Sequence, residues 1–173
     1  MNNWPTQAQV LGRNSVYGDP VGRAGGPSAK WESTNLVMVV PKWTMWMGDI
    51  RITRFRMHKH CAPAMQRVLD ALYLEANGRT GTLAEWGMTK FGGSFNYRVM
   101  RGLNSLSMHA FGCAVDFDPL NNSLSDRTPR FAEFPMVLAA FEKEGARWGG
   151  DWNGNGSSAD ERRCDGMHWQ FTK

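Results

Sequence analysis

Cysteine is scarce. The 173 residues hold three, Cys61, Cys113 and Cys164, an odd number that cannot complete a set of internal disulfides and whose spacing matches no zinc knuckle. They read as reduced and structural. No apolar run approaches the roughly 18 residues a membrane-spanning helix requires, so no span is expected. The opening MNNWPTQAQV lacks the basic-then-apolar order of a secretory signal, and the chain is expected to be made in a cytoplasm without an export address. Repeats and linkers are also missing. With 42% hydrophobic and 12% aromatic residues, the chain can bury one sizeable core, which implies a single domain.

Charge of one sign is not concentrated anywhere. A net charge of +4 favours anionic partners in general, but a nucleic-acid surface would gather Lys and Arg on one face with aromatics between them. Here they are scattered, so no nucleic-acid partner is expected. The densest basic segment, Arg51 to His60 (RITRFRMHKH), alternates like a solvated strand face.

What is present has a clear order. The first 34 residues, rich in Gly, Pro and Asn, read as a loop-like arm on the surface of a domain spanning 35–173. Strands are expected at Leu36 to Val40 and Asp49 to Met57. A helix is expected at Pro63 to Ala76, where Met65, Val68, Leu69 and Leu72 form a core-facing stripe, and another at Glu133 to Glu144, with Phe134, Val137, Leu138 and Phe141.

Polar segments around these elements carry the chemistry. In SMHAFGCAVDFD, Ser107 to Asp118, alternation after Gly112 puts Ala114, Asp116 and Asp118 on one strand face and Cys113, Val115 and Phe117 on the other. His109 can swing across the glycine turn to the acidic side. Near the C-terminus, DGMHWQF places His168 and Gln170 on one face and Trp169 and Phe171 on the other. His109, Asp116 and His168 would supply two imidazoles and a carboxylate, the donor set of an open zinc site. Asp165 precedes His168 by three residues and would need a turn at Gly166 to converge with it.

The string Ser107-x-His109-x-x-Gly112-x-Ala114-x-Asp116, with Asp165-x-x-His168 downstream, resembles the zinc-peptidase family of D-alanyl-D-alanine carboxypeptidases and L-alanyl-D-glutamate peptidases of phage endolysins. FNYRVMRG and WGGDW extend the resemblance on either side. It implies an α+β fold of the hedgehog and DD-peptidase type, a small single domain with a central, mostly antiparallel sheet flanked by helices. It implies Zn2+ on His109, Asp116 and His168, with Asp165 as general base. Arg98, or else Arg101, would stabilise the developing oxyanion, and Ser107 would support the turn. The expected function is that of a monomeric endolysin acting on peptidoglycan stem peptides after the inner membrane is breached. It would cut the L-Ala–D-Glu bond, with D-alanyl-D-alanine carboxypeptidase activity or a non-catalytic wall-binding module as alternatives.

DWNGNGSSADERRCDG, Asp151 to Gly166, begins like a calcium loop with Asp151, Asn153 and Asn155. Arg162 stands where a bidentate Glu is needed, so a flexible polar loop is favoured over a weak Ca2+ site. Asp160 and Glu161 in that loop are expected to be exposed. His58, His60 and Cys61 form a rival metal cluster, read as surface histidines, while Trp43 and Trp46 are candidates to line a substrate groove.

Overall fold

The computed structural model describes residues 3–173. Two short helices open the chain, α1 (Gln7–Leu11) and α2 (Ala29–Asn35). Thr6 caps α1 reciprocally with Gln9, and the Ser28 side chain accepts from the Trp31 amide at the start of α2. These side chains satisfy amides that a helix start leaves open. The first 34 residues are therefore partly helical, where a loop-like arm was expected. Val10, Tyr17 and Trp31 are buried. The Tyr17 hydroxyl donates to the Phe171 carbonyl at 2.7 Å.

Strands β1 (Leu36–Val39) and β4 (Phe55–His58) pair antiparallel, and β2 (Met45–Met47) and β3 (Ile50–Ile52) form a hairpin. The single strand expected over Asp49 to Met57 is thus two. Its alternation runs on unbroken, but the chain changes partner between Ile52 and Phe55, leaving the hairpin to pair with β1. Helix α3 (Ala62–Glu75) buries Met65, Val68, Leu69 and Leu72, with Pro63 in its first turn. Helix α4 (Thr80–Glu85) and strand β5 (Phe91–Gly93) follow.

The sheet that positions the site is four-stranded and antiparallel, in the order β5-β6-β8-β7. It comprises β5, β6 (Ala114–Phe117), β7 (Arg147–Trp148) and β8 (His168–Gln170), with α5 (Pro135–Lys143) before β7. The helix expected from Glu133 starts at Pro135, after a 3-10 turn over Arg130–Glu133; Val137 and Phe141 are buried, whereas Leu138 and the preceding Phe134 are half-buried at the edge of the core. Trp169 of β8 stacks on Phe141 with ring centroids 4.0 Å apart, a contact worth about 0.5–1.5 kcal/mol beyond the area it buries. This apolar side anchors β8, so its other face can carry polar groups. The architecture is α+β as expected, but the strands form three sheets around one core. Among the described residues, no helix is long and apolar enough to cross a membrane.

Candidate metal centre

A short 3-10 helix, Met108–Phe111, carries His109. The Ser107 hydroxyl oxygen accepts from the His109 amide at 3.3 Å, and Gly112 ends the helix at φ +65°. A Cβ there would stand 2.9 Å from the His58 amide nitrogen, so glycine suits both the left-handed backbone and the close approach. The chain then enters β6, whose Asp116 lies directly opposite His168 of β8.

One ligand atom from each of His109, Asp116 and His168 lies within 4.8 Å of the others. Asp116 Oδ1 is 3.2 Å from His109 Nε2 and 3.1 Å from His168 Nδ1, and the two ring nitrogens are 3.1 Å apart. The other nitrogen of His109, Nδ1, lies 2.6 Å from the Ser94 carbonyl oxygen. A carbonyl only accepts, so the proton resides on Nδ1 and the lone pair of Nε2 faces the cluster. Two imidazoles and one carboxylate with three donor atoms converging are a fit for zinc.

Asp165 is half-buried beside these three. Its Oδ1 is buried with no hydrogen-bond partner, an uncommon state for a polar atom. Burial raises its carboxyl pKa, and the negative charge of Asp116 adds to this against the opposing pull of His168. Gly166 gives the turn before His168 room more than dihedral freedom, since a Cβ there would meet Pro129 Cβ at 2.3 Å. Burial also works against charge on Asp116, but hydrogen bonds from His109 and His168 outweigh it and hold that carboxyl far below its usual value. For His168, burial lowers the imidazole pKa, yet the Asp116 hydrogen bond and the nearby carboxylates raise it above 6.5 overall.

A proton on His168 must leave before Nδ1 can bind a cation. Zinc affinity is therefore expected to fall as pH decreases, starting above the ordinary imidazole value of 6.5. Asp116, with its lowered pKa, should compete for protons only in strong acid. A chelator-competition titration across mildly acidic and neutral pH checks this, and a flat affinity would contradict it.

The three residues and Asp165 line a groove of about 600 Å³, with Arg98, Arg101 and Arg163 also along it. Arg98 and Arg101 are exposed; the Arg98 guanidinium donates to the Val99 carbonyl at 3.3 Å. Trp43 and Trp46 are elsewhere. Trp43 is buried and donates to the Met88 carbonyl, and Trp46 is exposed on the β2–β3 hairpin. The tryptophan on the groove is Trp152, with its ring centroid 5.8 Å from that of His168. Sequence alone singled out neither Trp152 nor Arg163, because both sit in an irregular loop without periodicity. A larger cavity of about 850 Å³ behind that loop shares Trp152 but holds none of the three donors.

The rival cluster differs from its expectation. His58 is buried rather than on the surface, and burial with the neighbouring His60 lowers its pKa to about 4. His58, His60 and Cys61 do not form a metal-ligand grouping among the described residues. In the polar loop, the side-chain oxygens of Asp151, Asn153 and Asn155 accept from amides of residues 154–157. Glu161 is buried and accepts from the Asn153 amide at 2.9 Å, so it fastens the loop instead of lying exposed. Asp160 is exposed. Asp118, expected on the face of Asp116, leaves the strand at φ +42° and is buried against Asn121 and Lys90.

A protein-family model described as D-alanyl-D-alanine carboxypeptidase matches residues 101–171. The matched segment contains all three donors and Asp165, and the similarity supports a peptidase. No curated protein and no solved structure gives a significant match.

Proposed function

We propose that the chain is a zinc-dependent peptidoglycan peptidase that hydrolyses the stem peptide at the L-Ala–D-Glu bond, as a monomeric endolysin reaching the wall once the inner membrane is permeabilised. The observation that carries this reading is the three-donor cluster with the unpartnered Asp165 oxygen beside it in one groove. Zinc held by His109, Asp116 and His168 supplies Lewis acidity and a water nucleophile at neutral pH. Asp165 takes the proton from the attacking water and passes it to the leaving amine, a task for which a raised carboxyl pKa is suited. The Arg98 guanidinium stabilises the negative charge that develops on the carbonyl oxygen by donating to it.

Charge complementarity supports the choice of substrate. Arg98, Arg101 and Arg163 along the groove suit the carboxylates of a stem peptide. A non-catalytic wall-binding module would have no use for an intact donor set with a buried carboxylate oxygen left without a hydrogen bond beside it.

Digestion of purified peptidoglycan, with new termini identified by mass spectrometry, tests the bond. New N-terminal D-Glu is expected. Release of free D-Ala would move the assignment to a carboxypeptidase, and no new termini with zinc-loaded protein would remove the peptidase reading.

A further inference from the structure

We infer that Gln170 and Thr172 are positioning residues that orient the His168 ring for metal binding, an inference that rests on the metal-site reading above. His168 turns Nδ1 toward the cluster, 3.1 Å from Asp116 Oδ1. Its opposite nitrogen, Nε2, is 3.1 Å from Gln170 Oε1, and Gln170 Nε2 donates to Thr172 Oγ1 at 2.5 Å. An imidazole that gives its Nδ1 lone pair to a cation must keep its proton on Nε2, and that proton needs an acceptor. Water does not serve, because His168, Gln170 and Thr172 are 7%, 3% and 1% exposed.

A glutamine amide can present either oxygen or nitrogen to the ring. The Nε2–H of a metal-binding His168 selects the oxygen, because that group only donates. The amide nitrogen then faces Thr172, whose hydroxyl oxygen accepts it. Residues 168, 170 and 172 alternate onto one side of the extended chain, and of the two residues opposite Gln170, Arg147 on β7 and Ala114 on β6, the small Ala114 leaves room for the amide. His109 solves the same problem with a backbone acceptor, the Ser94 carbonyl. Of the two imidazoles, only His168 has its orientation set by side chains that substitution can change.

The test uses the full chain with Gln170→Met, Gln170→Glu and Thr172→Val. Zinc affinity is read by competition with a chromophoric chelator, the metal-free melting temperature is read beside it, and the Nε2–H resonance of zinc-loaded His168 is followed by 15N-resolved NMR. Gln170→Met keeps the length but removes the acceptor, and is expected to weaken zinc binding about 10- to 100-fold and to speed solvent exchange of the Nε2 proton. Gln170→Glu restores an acceptor and should recover affinity. Thr172→Val should show a smaller loss of the same kind, and covers the case in which Gln170→Met does not fold. Wild-type affinity and an unchanged Nε2–H signal in both Gln170→Met and Thr172→Val would overturn the positioning role while leaving the metal site intact. A wild-type chain that takes up no zinc would instead overturn the metal-site reading itself.

Discussion

Replacing any one of His109, Asp116 or His168 by alanine is expected to leave the protein without bound zinc and without hydrolytic activity. An open catalytic site has only three protein donors, so the loss of one leaves two, too few for a retained ion at ordinary metal concentrations. Each histidine variant also ends a buried hydrogen bond, His109 to the Ser94 carbonyl and His168 to Gln170, so both should lower thermal stability as well. Metal content by elemental analysis, with hydrolysis of wall peptides measured in parallel, checks the expectation. Full metal content in His168→Ala would sink the assignment and turn attention to His58, whose Nε2 is buried without a partner.

Asp165→Asn separates chemistry from metal holding. The carboxylate is not among the three converging donors, so metal content should stay close to wild type while turnover falls about 10²- to 10⁴-fold, the usual contribution of a general base. Asparagine keeps the size and removes the proton acceptor, so a packing defect does not reproduce this pattern. Asp160→Asn alters an exposed side chain and should leave the rate unchanged. Glu161→Gln is the more demanding control, since Glu161 is buried and fastens the loop; it should affect thermal stability before rate. Wild-type turnover in Asp165→Asn would remove the base from this position.

Much of this arrangement was legible because it follows simple periods. The stripe Met65, Val68, Leu69, Leu72 specifies α3 and its buried face. Alternation specifies which side of β6 bears Ala114 and Asp116 and which side of β8 bears His168 and Gln170. The N-terminal helices were not read, although the Thr6-x-x-Gln9 capping box was a local signal; both are short and held by burial of Val10 and Trp31 in a distant core. The break between β3 and β4 was hidden for a related reason. Pairing partners, not the residues of the strand, decide where a continuous alternation changes sheets. Trp152 and Glu161 acquire their places from a loop fold made of side chain to amide bonds, which has no period to detect.

The antiparallel pairing of β6 with β8 makes the metal a gauge of strand register. Asp116 and His168 are brought face to face from positions 52 residues apart, so closure of a long loop precedes any site at all. A slip of one residue would rotate Trp169 into the groove and send His168 into the apolar interior. A cation that binds only the native pairing stabilises that pairing over every slipped alternative by mass action. Zinc uptake during refolding would therefore mark the moment the sheet is correctly aligned, not merely compact.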